Sequence, residues 1–244
     1  MGHTLIGKRF GAACCAVVVV VAVGFGQASG SSATTEQRTL LVLGDSLTWG
    51  TAYRGFGNVV PKLQALGTFE KVIVDGVHAR NISGPARTSR NGVKTYKEYI
   101  KKGTVPDAVI VALGSNDLQQ SPKSSFYSSY IRELLTLIGP RPVVWVNVYR
   151  TDLPIYPRRS ATFNAALLNA TSEFPNLTIL DWSTQLIANP KWLAFDKLHL
   201  QPIGYRARAN MYVQAASELW NILVPPPTTA PETTAVETTT TIAG

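Results

Sequence analysis

The sequence predicts an α/β domain built on a doubly wound parallel sheet of about five strands. Three observations carry that expectation. Short β-rich apolar runs recur through the middle of the chain, they are nearly continuous in apolarity rather than alternating, and stretches with helical spacing separate them. Strands covered on both faces read this way. Regular alternation of strand and helix then places the helices over a parallel sheet.

The first strand is 39–43, Thr-Leu-Leu-Val-Leu. A helical stretch over 58–66 leads to the second strand, 71–74. A helix over 93–101 precedes the third, 108–113, and a helix over 124–138 precedes the fourth, 143–148. A helix over 159–173, with Ala165, Leu167 and Leu168 at apolar positions, precedes the fifth, 177–180. The last and longest helix is expected over 204–223. In a sheet of this kind the site lies at the carboxyl ends of the strands.

The domain is bounded at 37–222, and the ends outside it read differently. Residues 1–33 carry Lys8 and Arg9, an apolar run over 11–26 and a small-residue exit, the pattern of a secretory signal peptide. Cleavage after Ala28, Gly30 or Ala33 and retention as an N-terminal anchor both remain open. Residues 225–244 are mostly Pro, Thr, Ala and Glu, a composition that cannot bury enough apolar surface to offset ordering entropy. A disordered tail is expected there. The chain is therefore expected to be exported, either secreted or held in the cell envelope.

Composition excludes several chemistries. Cys14 and Cys15, the two cysteines, are adjacent and near the N-terminus, which leaves no disulfide framework, cysteine-built metal site or cysteine nucleophile in the domain. His3, His78 and His199 are too scattered to suggest a metal cluster, so no metal is expected. The formal charge is +8, and without residues 1–33 there remain 21 basic against 15 acidic residues. No run of five basic residues occurs, and nucleic-acid motifs are missing. A solvated basic face is expected, one that also suits an anionic cell-envelope polymer. A P-loop is absent, and no G-x-S-x-G surrounds Ser46.

Three motifs sit where strands end or a helix begins. Gly44-Asp45-Ser46-Leu47 follows the first strand. There a serine is well placed as a nucleophile, although the same residues also suit an ordinary turn capping a helix. Gly114-Ser115-Asn116-Asp117 follows the third strand, where the Asn116 amide could donate toward the space above the first strand. Asp196-Lys197-Leu198-His199 precedes the last helix. In a helical turn this spacing puts both side chains on one side, so the carboxylate can orient the imidazole while its other nitrogen faces the serine. His78 has no acid at such a spacing and reads as a polar loop residue.

With these residues in place, the chain resembles the SGNH (GDSL-type) hydrolase family over about 39–220. Gly44-Asp45-Ser46-Leu47, Gly114-Ser115-Asn116-Asp117 and Asp196-Lys197-Leu198-His199 match its motifs in the family's order. The resemblance implies a flavodoxin-like three-layer domain and ester hydrolysis without metal or cofactor. It makes Ser46 the nucleophile and His199 the base, oriented by Asp196. It builds an oxyanion hole from the Ser46 N–H, a backbone N–H after the second strand and the Asn116 side chain, with Gly44, Asp45 and Gly114 in support. One departure stands out. Ala79 occupies the place where a glycine N–H is expected, with Gly76 as the alternative donor. Alanine serves there only if the position does not need positive φ.

Residues 144–148, Asp181-Trp182 and 196–204 are similar to the extracellular SGNH domain that accompanies membrane O-acyltransferases. That likeness implies acetyl groups on cell-envelope carbohydrate. The expected function is a serine esterase or acyltransferase handling small acyl groups of a small-molecule or carbohydrate ester, and the expected state is a monomer. A lipase or thioesterase acting on longer chains, and a non-catalytic wall-binding module, are the competing expectations. The segment 48–54 offers no long apolar run to cradle a fatty chain.

Overall fold

A computed structural model describes residues 37–120 and 123–226. The signal peptide or anchor expected over 1–33 and nearly all of the expected tail lie outside the described residues. Strands β1 (Thr39–Gly44), β2 (Lys71–Gly76), β3 (Ala108–Ala112), β4 (Val143–Val146) and β5 (Leu177–Leu180) form one sheet in the order β2-β1-β3-β4-β5. Every pairing is parallel. The chain winds outward from β1 in both directions, so the topological switch point lies between β1 and β3.

The continuous apolarity of the strands follows from period-two alternation onto two cores. Leu41, Leu43, Val109, Val111, Val143 and Trp145 face one layer, which holds α3 (Gly92–Lys101), α4 (Ser124–Ile138) and α5 (Tyr156–Ala170). Leu40, Val42, Ala108, Ile110, Val144 and Val146 face the other. That layer holds α1 (Ser46–Ala52), α2 (Val59–Gln64), α6 (Trp182–Ala188) and α7 (Pro202–Leu223). β1 and β3 are buried along their whole length, whereas the edge strands β2 and β5 are partly open.

Several elements differ from the sequence expectation. α5 starts at Tyr156 because Pro157 is accommodated in the first turn, where its missing N–H costs nothing. β4 stops at Val146. Beyond it, side-chain amides take over: Asn147 accepts from the Ser183 N–H, and Asn164 both accepts from and donates to the Val148 backbone. The short helices α1 and α6 lie outside the helical stretches that the sequence spacing marks. Residues 196–199 are not a helical turn. Gln201 before Pro202 is held extended, so α7 cannot run back into this segment. It forms a tight loop instead, closed by a bridge between Leu193 and Leu200 and by the Ala194 N–H donating to the His199 carbonyl at 2.8 Å.

Two glycines let α1 lie directly on the sheet edge. Gly44 and Gly76 are register partners at the ends of β1 and β2. A Cβ on Gly76 would lie 2.3 Å from the Trp49 nitrogen and 2.7 Å from the Thr48 carbonyl carbon, both backbone atoms of α1. Gly76 is thus spent on helix–sheet contact. Gly76→Ala is expected to lower stability by about 3 kcal/mol, the upper range for overpacking. The midpoint of urea unfolding checks this; a shift within error would mean that α1 can lift away freely.

Candidate active site

The end of β1 turns directly into α1, which makes Asp45 the N-cap. Its Oδ1 accepts the Leu47 N–H at 2.9 Å, satisfying one orphan donor of the helix. Ser46 is therefore the first helical residue, with its N–H unclaimed by any partner among the described residues. Asp45 is fully buried, and burial raises its carboxyl above the ordinary value; Arg208, the Leu47 N–H, His199 and Arg80 pull the other way. It acts as a turn-holding residue.

Ser46 Oγ lies 3.0 Å from His199 Nε2, and His199 Nδ1 lies 2.6 Å from Asp196 Oδ2. A carboxylate can only accept, so the Nδ1 proton belongs on the Asp196 side and Nε2 is left to accept the Ser46 hydroxyl proton. Asp196 Oδ1 also accepts the backbone N–H groups of Leu198 and His199 at 3.1 and 2.9 Å. Partial burial raises the Asp196 pKa, but the bonds from His199 and Leu198 outweigh it, and the net shift is downward. Lys197, at φ +55°, takes the strained position of this loop. The Thr151 hydroxyl donates to the Lys197 carbonyl at 3.0 Å and ties the loop to the chain after β4.

The segment after β2 is a turn in which the Arg80 N–H donates to the Val77 carbonyl, with His78 and Ala79 at its centre. Ala79 has φ +57°, so this position does adopt the left-handed conformation that favours glycine. Its N–H has no partner among the described residues. Arg80 fixes the turn from below. Its guanidinium is almost wholly buried and donates to the carbonyls of Gly44, Asp75 and Ser89 and to the Asp75 carboxylate.

Asn116 joins the first and third motifs to this turn. Its Nδ2 donates to the Arg80 carbonyl at 3.1 Å and to Asp45 Oδ2 at a longer 3.3 Å. Gly114, at φ +130°, is needed because a Cβ would lie 2.5 Å from the Phe163 ring. Asp117 is fully buried and accepts the Ile82 N–H at 3.1 Å. Burial pushes its carboxyl up to about 7, and the nearby Asp45 adds to the shift.

Sequence reasoning missed three supports. Arg80, which fixes the turn from below, carries no motif that marks its role. Arg150, which holds the Ser115 carbonyl at 3.0 Å while paired with Asp152, and Thr151 were not singled out. The Arg-x-Asp spacing at 150–152 is a weak local signal for the pair, but nothing local marks their distant carbonyl partners.

Two outcomes follow from this geometry. Ala79→Gly removes a left-handed alanine costing about 1–2 kcal/mol and adds about 0.5–1 kcal/mol of chain entropy, so stability should rise by about 0.5–1 kcal/mol. Thermal unfolding measures it, and a loss of stability would mean that the turn carries no such strain. Asp117 holds its proton more tightly when folded, so its contribution to stability declines as pH rises from about 4 to its folded value of about 7. Asp117→Asn should flatten the stability profile over that window in denaturant titrations; an unchanged slope would assign the decline to other groups.

The chain is similar to the O-acetyltransferase OatA of Staphylococcus aureus, 24% identical over 192 residues that make up 77% of this chain and 26% of that protein. It thus spans about a quarter of that relative's length. It is also similar to an arylesterase of Vibrio mimicus, 24% identical over 176 residues, 70% of this chain and 84% of that one. A solved lipase/acylhydrolase from Enterococcus faecalis shares the fold, with a TM-score of 0.61 at 21% identity, covering 74% of this chain and 96% of that chain. Residues 42–207 match the model of the GDSL-like lipase/acylhydrolase family. The chain belongs to that family.

Proposed function

We propose that this protein is an exported serine esterase that removes or transfers small acyl groups, foremost O-acetyl groups on cell-envelope carbohydrate. The observation that carries the reading is the unbroken hydrogen-bond chain from Ser46 Oγ through the His199 ring to Asp196. Similarity to an O-acetyltransferase and to an arylesterase supports acyl transfer between oxygen atoms. The basic start, apolar run and small-residue exit of residues 1–33 support export.

In this reading Ser46 Oγ attacks the ester carbonyl carbon while its proton passes to His199 Nε2. Asp196 holds the imidazole in the accepting tautomer and stabilises its cation. The carbonyl oxygen becomes an anion facing the unclaimed N–H groups of Ser46 and Ala79. Asn116 joins them when its long bond to Asp45 gives way, leaving the bond to the Arg80 carbonyl in place. Collapse expels the alcohol, which takes the proton from His199, and leaves Ser46 acylated. Water, or the hydroxyl of an acceptor sugar, then attacks the acyl carbon and gives its proton to His199; collapse breaks the bond to Ser46 Oγ, which takes that proton back as the free acid or the new ester departs.

Hydrolysis of p-nitrophenyl esters from acetyl to palmitoyl tests the reading. Acetyl is expected to be preferred. Ser46→Ala should lower kcat at least about 10⁴-fold, Asp196→Asn about 10³-fold, and Asn116→Ala about 10²-fold. Turnover that survives in a folded Ser46→Ala variant would sink the assignment, and a palmitoyl optimum would replace deacetylation with lipolysis.

A further inference from the structure

Five aromatic rings run without a gap from the buried face of α7 to the rim of the candidate site. Tyr205 stacks on Phe56 with centroids 5.2 Å apart and planes 7° apart. Phe56 meets Tyr53 edge-on at 5.0 Å, Tyr53 stacks on Trp49 at 5.3 Å and 11°, and Trp49 meets His78 at 4.9 Å. The inner end is locked in the core, with Tyr205 only 4% exposed. It fits against α1 because Gly50 has no side chain; a Cβ there would lie 2.3 Å from the Tyr205 ring.

The outer end is open. Trp49 is 42% and Tyr53 49% exposed, and His78 is exposed as well. This end also adjoins the reacting groups. Trp49 stands three residues after Ser46 on α1, a spacing that shares one helix face. His78 immediately precedes Ala79 in the turn that offers its free N–H. The polar edges of the three outer rings, an indole N–H, a phenol O–H and the imidazole nitrogens, have no hydrogen-bond partner among the described residues. Large rings kept in water beside a nucleophile, and stiffened by a buried anchor, form a prepared binding surface.

We propose that Trp49, Tyr53 and His78 form a pyranose-binding subsite that seats the sugar bearing the ester; this rests on the esterase reading of Ser46. A pyranose has an apolar C–H face that lies on an aromatic ring and a rim of hydroxyls that suits the free ring edges. A fatty chain would leave all three polar edges unmatched, as would the aryl group of an aryl ester. The subsite would set the ester oxygen of the sugar over α1, next to Ser46, and so select for the alcohol rather than the acyl half of the substrate.

The test compares kcat/KM on an O-acetylated methyl glucoside, on ethyl acetate and on phenyl acetate, for the wild-type protein, Trp49→Ala and Trp49→Phe. Loss of one stacked ring should lower the ratio of glucoside ester to ethyl acetate about tenfold in Trp49→Ala, mainly through KM. Trp49→Phe should restore most of it. An equal fall on the glucoside and on ethyl acetate would overturn the subsite and make Trp49 a support of α1. A selective fall on phenyl acetate alone would overturn the pyranose in favour of an aryl group. A wild type inactive on all three esters would sink the esterase reading itself. The subsite would then be judged by quenching of tryptophan fluorescence on titration with methyl glucoside: quenching absent from Trp49→Ala supports it, and none in the wild type overturns it.

Discussion

The close approach of α1 to the ends of β1 and β2 is the constraint on which the site depends. Only with hydrogen at both Gly44 and Gly76 can the helix rest its backbone on the strand ends. That contact sets Ser46 at the switch point and puts Trp49 and His78 side by side. Arg80 secures the same corner from beneath, joining the Gly44 and Asp75 carbonyls near the ends of both strands through one buried guanidinium. A buried charge of this sort is tolerable only when its donors are satisfied, and removing its partners would strand it at a cost of about 3–5 kcal/mol. The corner is therefore rigid where the proposed chemistry needs fixed donors.

Of the carboxyl groups near this corner, Asp45, Asp117 and Asp196 fall into two opposed environments. Asp45 and Asp117 are buried, and both are pushed toward the protonated form, chiefly by loss of water. Asp196 is half exposed, and its bonds to the His199 ring and two backbone N–H groups hold it ionised. The negative charge is thus kept beside the imidazole, where it can balance a cation, and is discouraged behind Ser46. Pairs of like groups with opposed environments are a usual way of dividing roles in one site.

The fold and the three motifs were legible because they are local. Continuous apolar runs mark strands covered on both faces, and each motif follows a strand or precedes a helix. The Ala79 question was legible too, but not its answer: a left-handed φ is set by the Val77–Arg80 turn and by Arg80 reaching across to Gly44. The shape of the segment 196–199 was misread because i, i+3 spacing suits a helix and a tight loop alike, and Pro202 decides between them. Arg150 and Thr151 act through carbonyls 35 and 46 residues away, a relation no local pattern encodes.

The bond between Ser46 and His199 joins residues 153 positions apart. The first strand and the loop before the last helix must both be in place before that contact exists, so no fragment ending before His199 can contain it. Closing so long a loop comes late, after nearer contacts have repaid their entropy. The Ser46–His199 pair therefore forms only once the loop before α7 has met the end of β1. On the proposed export, the polypeptide would pass through its own cell without the assembled Ser–His pair, acquiring it only where it completes its fold.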